Sequence, residues 1–118
     1  MYDIAVLGMG YVGLPLAIEA ARSGLNAVGL DVNVDLVDAL NGGTSHIGDI
    51  SDDEIRAALD GGFTASADPA VLEDASAIVI AVPTPLVDYA PDLAFVEAAT
   101  AAVGDHLQRG RLVVLEST

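Results

Sequence analysis

The 118-residue chain has no cysteine and no lysine, and it sets only four arginines against 18 acids. Without cysteine there is no disulfide, no thiolate metal site and no cysteine nucleophile. A formal net charge of −14 argues against nucleic acid and anionic membrane as partners. An anionic ligand would have to be held by backbone N–H groups rather than by side-chain cations. No apolar run approaches the length needed to span a bilayer. Met1-Tyr2-Asp3 leads straight into an apolar run with no basic n-region, so no secretory signal and a cytoplasmic location are expected. No internal repeat, low-complexity segment or linker interrupts the chain. Thirteen of the acids are Asp, which reads as a solvated acidic surface and fits a salt-loving source or a GC-rich genome alike.

What is present is apolar and patterned. The chain is 53% hydrophobic, with helix and strand patterns alternating, which excludes a disordered or collagen-like chain. Its length suits one domain with a real core. The organising stretch is Ala5-Val6-Leu7-Gly8-Met9-Gly10-Tyr11-Val12-Gly13-Leu14-Pro15. A short apolar run, Ile4 to Leu7, reads as a buried strand, and a helical pattern starts by Tyr11. Gly8, Gly10 and Gly13 form G-x-G-x-x-G in the strand-to-helix context that the dinucleotide fingerprint requires. Gly8 allows a tight turn, Gly10 lets a pyrophosphate approach the backbone, and Gly13 lets the helix pack close to the strand. The helix N-terminus adds unpaired N–H groups and partial positive charge.

Asn26 to Leu30 is a second short apolar strand, ending in Asp31. That acid lies about twenty residues beyond the glycines, where a carboxylate accepts from the adenosine ribose hydroxyls. The alternative for Asp31 is a plain strand-end acid. A 2′-phosphate would be repelled there, and no Arg or Lys follows to receive it. The expected cofactor is therefore NAD rather than NADP.

The remaining pattern is regular. Tyr11 to Ser23 reads as a helix with a small-residue face, ended by Ser23-Gly24. Asn33 is an expected N-cap for a helix bearing Val34, Leu36, Val37 and Leu40, stopped by Asn41-Gly42-Gly43. Thr44 to Ile50 reads as a polar loop. Ser51-Asp52-Asp53-Glu54 is a capping box for a helix that ends at Gly61-Gly62. Phe63 to Ser66 reads as a short strand, and Asp68-Pro69 opens a brief helix through Glu73. Ala77 to Val82 is a continuous apolar run, the mark of a parallel strand covered on both faces. Pro83-Thr84-Pro85 closes it, and a loop runs to Pro91-Asp92. Leu93, Val96, Thr100, Val103 and Leu107 recur at helical steps, so Asp92 to Leu107 reads as an amphipathic helix. Leu112 to Leu115 is a last run, expected as a buried central strand.

These elements predict an α/β fold, a Rossmann-like doubly wound parallel sheet of five strands in the order 3-2-1-4-5. The ligand site is then at the carboxyl ends of strands one and four. Thr84, restrained between two prolines at a strand's carboxyl end, is a site candidate by position. Glu116 reads equally as a site residue and as a strand-end acid. His46 in a loop and His106 near a helix end have no partner at metal-ligand spacing, so structural or solvent roles are expected. Asp52-Asp53 and Asp31-Asp35-Asp38 read as helix-start charges and solvated faces rather than metal sites. The chain ends on the fifth strand, which reads as a truncated or excised domain.

Taken together, the chain resembles the N-terminal part of the UDP-glucose/GDP-mannose dehydrogenase family. The matching stretches are Gly8-Met9-Gly10-Tyr11-Val12-Gly13-Leu14-Pro15, Asp31-Val32-Asn33, Val82-Pro83-Thr84-Pro85-Leu86, Pro91-Asp92-Leu93 and Leu115-Glu116-Ser117-Thr118. With Ser45-His46-Ile47-Gly48-Asp49-Ile50, they look most like the branch acting on UDP-N-acetylhexosamines. The resemblance implies an NAD-dependent four-electron oxidation of the C6 hydroxyl of a UDP-sugar to a carboxylate through a cysteine thioester, with two NAD, in polysaccharide biosynthesis. It implies that residues 1–118 are the NAD-binding domain. The nucleophilic cysteine, a lysine, an asparagine, the subunit-pairing helix and the substrate domain would all lie beyond Thr118. The 118 residues would bind NAD and catalyse nothing, and the full-length protein would be a homodimer or higher. By position, Gly10, Tyr11, Val12 and Gly13 would hold the pyrophosphate, with Gly8 at the turn. Asp31, with Asn33 beside it, would hold the adenosine ribose. Pro83 and Thr84 would border the nicotinamide-side ribose, Thr118 would sit near the nicotinamide, and Val82 and Glu116 are further cofactor-site candidates. The chain departs from the family in lacking a basic residue after Asp31 and in Val87-Asp88-Tyr89-Ala90. A non-catalytic dinucleotide sensor and another NAD-dependent hydroxy-acid dehydrogenase are the alternatives. Pro83-Thr84-Pro85 favours the nucleotide-sugar enzyme.

Overall fold

The computed structural model describes residues 1–107 and 110–116. Its centre is a five-stranded parallel sheet built from β1 (Tyr2–Leu7), β2 (Ala27–Leu30), β3 (Phe63–Ser66), β4 (Ala75–Ile80) and β7 (Leu112–Leu115). The order β3-β2-β1-β4-β7 is the expected 3-2-1-4-5. Side chains alternate across β1, so each face of the sheet needs its own cover. Val6 joins a core with α1 (Gly13–Arg22), α2 (Val34–Asn41) and α3 (Asp52–Asp60). Ala5 and Leu7 join the opposite core, with Leu72 of a 3₁₀ turn (Pro69–Asp74) and with Ala99 and Val103 of α4 (Ala94–His106).

Local signals set most boundaries. The Asn33 side chain accepts from the Leu36 N–H at the start of α2. Ser51 and Glu54 close the capping box of α3. Asp68 accepts from the Ala70 N–H, although the turn it opens is 3₁₀ rather than α-helical. After α2, Gly43 takes φ +87°. Gly43 N–H donates to Leu40 and Thr44 N–H to Ala39, a Schellman closure that glycine at this position allows.

Four expectations need correcting. The first helix starts at Gly13, because Tyr11 and Val12 form a turn that carries the glycine loop into it. The strand read over Ala77–Val82 runs over Ala75–Ile80: Ala75 already pairs with Tyr2, and pairing fades toward Pro83, which has no N–H. The loop before Pro91 contains a two-residue-per-strand hairpin, β5 (Leu86–Val87) with β6 (Ala90–Pro91), turned by Asp88 and Tyr89 at positive φ. Asp88 suits positive φ, but Tyr89 does not announce such a turn, since glycine is the usual second residue. Lastly, α4 begins at Ala94, where Asp92 Oδ1 accepts from the Ala94 N–H. It buries Ala99 and Val103, while Leu93 and Leu107 stay exposed.

The expectation of a buried final strand is also overturned. Leu112 is 61% exposed and Leu115 58%. β7 has one sheet neighbour, β4, and its four residues all stay exposed.

Candidate functional site

β1 ends at Leu7, and the chain turns at Gly8 with φ +96°, a conformation that L side chains rarely adopt. A Cβ there would also stand 2.8 Å from the Ala81 carbonyl oxygen at the end of β4. At Gly13 a Cβ would overlap the carbonyl oxygen of Gly8, so α1 rests directly on the turn. Gly10 differs from both: nothing lies within 4 Å of where its Cβ would be. The first and third glycines are therefore required by packing. The second leaves open space, into which a ligand can approach the backbone.

That space faces the start of α1. Val12 precedes the helix without a side-chain cap, and no acid occupies the first turn. Side chains cap α2, α3 and the 3₁₀ turn. Leu14 N–H donates to the Gly10 carbonyl at 3.2 Å and Pro15 has no N–H, so among the described residues the Tyr11, Val12 and Gly13 N–H groups, with the partial positive charge of the terminus, are the ones left for an anion. A pyrophosphate fits this cradle. Val12 is half-buried, while Tyr11 is 77% exposed.

Asp31 follows β2 and turns its carboxylate onto the glycine loop. Oδ2 accepts from the Met9 N–H at 3.0 Å, and Oδ1 accepts from the Asn33 N–H at 3.0 Å. A carboxylate has about four lone-pair sites, so about two remain for the hydroxyls of a ribose. The Asn33 side chain is occupied as the α2 cap.

Beside Asp31 lies a cleft of about 240 Å³. Gly8, Asp31, Val32, Val82 and Pro83 line one side, and Phe95, Ala98 and Ala102 of α4 the other. Asp31 is the one ionisable residue in that lining. The volume is below the roughly 300 Å³ at which pockets begin to enclose drug-sized ligands, so it suits one ring system of a dinucleotide.

Gly8, Asp31, Val82 and Pro83 therefore meet around one cleft, with Gly10, Tyr11, Val12 and Gly13 at its loop and helix end. Thr84 is half-buried next to Pro83 but is not part of the cleft lining. Glu116 is exposed; its N–H donates to the Ile80 carbonyl at 2.9 Å, which places it at the carboxyl edge of the sheet, away from the lining. Thr118 lies outside the described residues.

Two features escaped the sequence reading. Met9 is fully buried, and a Cβ on Gly29 would overlap its sulfur, so the side chain of the fingerprint loop is seated on β2. A glycine inside the strand Ala27–Leu30 is the signal for such a close approach. His46 is the second. Its Nε2 lies 2.5 Å from the Met9 carbonyl oxygen, which brings the loop after α2 onto the fingerprint. His106, by contrast, pairs with Glu73 Oε2 at 2.8 Å, far along the chain from the site.

Residues 2–118 match the model of the UDP-glucose/GDP-mannose dehydrogenase family, NAD binding domain. An NDP-N-acetyl-D-galactosaminuronic acid dehydrogenase from Ralstonia nicotianae is 45% identical over 98% of this chain and 27% of its own length. A UDP-N-acetyl-D-mannosamine dehydrogenase from Salmonella typhi is 41% identical over the same shares. Among solved structures, a UDP-D-ManNAc dehydrogenase from Pyrococcus horikoshii superposes with a TM-score of 0.90 at 37% identity, over 98% of this chain and 28% of that one. The chain spans about a quarter of the length of the relatives it matches.

Proposed function

The chain belongs to the UDP-glucose/GDP-mannose dehydrogenase family as its NAD-binding domain, and from that premise we propose that it holds NAD for the oxidation of a UDP-N-acetylhexosamine. In the whole protein, the C6 hydroxyl of the sugar would become a carboxylate at the expense of two NAD, in polysaccharide biosynthesis. Residues 1–118 supply the cofactor half. The subunit-pairing helix, the sugar-nucleotide pocket and the reacting side chains belong to the remainder of the whole protein, which assembles as a homodimer or higher. The names of the Ralstonia and Salmonella relatives support the N-acetylhexosamine branch.

Each site residue then has a task. The N–H groups of Gly10, Tyr11, Val12 and Gly13 receive the pyrophosphate at the uncapped end of α1. Asp31 accepts from the adenosine ribose through its two spare lone-pair sites, and Asn33 keeps α2 in place beside it. The adenine enters the apolar cleft between Val32 and α4. Pro83 and Thr84 border the nicotinamide-side ribose, and Val82, Glu116 and Thr118 are further candidates for the cofactor site. When bound, NAD supplies the hydride acceptor.

The observation that supports this reading is the Asp31 carboxylate bonded to the glycine loop at Met9, since the residue proposed for the ribose then adjoins the loop proposed for the phosphates. Calorimetry with the 118-residue chain tests it. NAD should bind, and NADP should bind at least about tenfold more weakly, since a 2′-phosphate meets the Asp31 charge. Equal affinity for the two cofactors would refute the ribose assignment.

A further inference from the structure

We propose that His46 is a positioning residue for the phosphate-binding loop: by holding the Met9 carbonyl it aims the Gly10 N–H at the pyrophosphate. The proposal rests on the NAD-binding reading above and adds to it a residue from outside the fingerprint.

The geometry is short to state. His46 Nε2 contacts the Met9 carbonyl oxygen. A carbonyl only accepts, so Nε2 must carry the proton. The Met9–Gly10 peptide is trans, as no cis bond occurs among the described residues. In a trans planar peptide the C=O and the following N–H point to opposite sides. Pinning the Met9 oxygen on one side therefore sets the Gly10 N–H on the other. That N–H has no protein acceptor among the described residues, and the space at Gly10 is open. A hydrogen bond to the carbonyl also polarises the peptide and strengthens its N–H as a donor, by roughly 10–30% in condensed-phase estimates.

The neighbouring peptide is fixed independently. The Met9 N–H donates to Asp31 Oδ2, and the Gly8 carbonyl lies against Gly13. The Met9 side chain is buried over Gly29. Without His46, the Met9 oxygen is the one part of that residue left without a tether. His46 itself is firmly delivered. Ile47 and Ile50 are buried in the core beneath the loop. Ser45 N–H donates to Asp52 Oδ1 at 2.8 Å, and Ile47 N–H donates to Ser45 Oγ at 3.1 Å. The ring is nonetheless exposed on its outer side, so replacing it leaves the core untouched.

The test compares the parent chain with His46→Ala and His46→Gln, whose side-chain amide can donate to the same carbonyl. Dissociation constants for NAD and for adenosine, which has no phosphate, are measured by NMR titration of the ¹⁵N-labelled protein, with the Gly10 amide resonance followed directly. His46→Ala should weaken NAD about tenfold, leave adenosine unchanged and shift the Gly10 amide, while His46→Gln recovers most of the loss. Three results would overturn the proposal: NAD affinity within about twofold in the alanine variant, equal weakening of NAD and adenosine, or no recovery with glutamine. If the parent itself binds no NAD, the cofactor reading has failed. The Gly10 amide shift then decides the His46 contact alone: an unshifted resonance in His46→Ala removes it.

Discussion

Replacing Asp31 by asparagine tests the site at its most constrained point. The carboxylate serves two N–H donors, Met9 at 3.0 Å and Asn33 at 3.0 Å, with one oxygen each. Asparagine has one acceptor oxygen and one NH₂ group. Whichever way the amide turns, one of those two N–H groups faces another donor. The amide oxygen stays on the part-buried Met9 N–H and the exposed Asn33 N–H is given up to water, which costs about 0.5–1.5 kcal/mol. For a chain of this length, each kcal/mol lowers the melting temperature by about 4 °C, so Asp31→Asn should melt about 2–6 °C below the parent. The ligand suffers separately. A hydrogen bond to a charged group contributes about 1.5–3 kcal/mol, so losing one ribose contact should weaken NAD by about 10- to 100-fold. The NADP penalty should shrink, because the repelling charge is gone. Thermal melts without ligand read the first effect, and calorimetry with each cofactor reads the second. A variant melting within about 1 °C of the parent and binding NAD within about twofold would refute the bridging role of Asp31.

Substitutions at Gly10, Gly13 and Gly29 separate a binding role from packing roles. Gly10→Val should abolish NAD binding with a stability change below about 1 kcal/mol, since no protein atom lies near its Cβ position. Gly13→Ala should destabilise the fold by about 1–3 kcal/mol in urea unfolding, because the Cβ overlaps the Gly8 carbonyl; equal melting curves for the two variants would be evidence against both assignments. Gly29→Ala should cost about 1–3 kcal/mol by displacing Met9. Adding Met9→Ala should recover part of that cost in a double-mutant cycle, and strict additivity would show that the two residues do not interact.

Periodicity, glycine spacing and caps carried most of the architecture. The pairing of an apolar run with a glycine turn and a helix recurs along the chain, and parallel strands joined by helices have few ways to close. Asn33, Ser51 and Asp68 act through bonds to N–H groups two or three residues away, so their roles can be read locally. The same holds for Gly8, Gly10 and Gly13, whose tasks follow from backbone conformation and from the space a Cβ would fill. The position of Asp31 was legible too, because a strand end and a fixed spacing place it.

What the tertiary structure decided are the contacts between segments distant in the chain. Asp31 reaches Met9 across 22 positions and His46 reaches Met9 across 37, and no local signal reports either. The Asp88–Tyr89 turn is set by the hairpin it closes, against the preference of Tyr89. The apolar face of α4 is centred on Ala99 and Val103, because the sheet and the 3₁₀ turn, not the helical period alone, choose which residues are covered. β7 shows the same limit from the other side. Its Leu112-Val113-Val114-Leu115 composition reads as a buried strand, but burial depends on what packs against it, and here Leu112 and Leu115 stay more than half exposed beside β4. Local composition fixed what each segment could become; the assembly of the sheet determined which groups met.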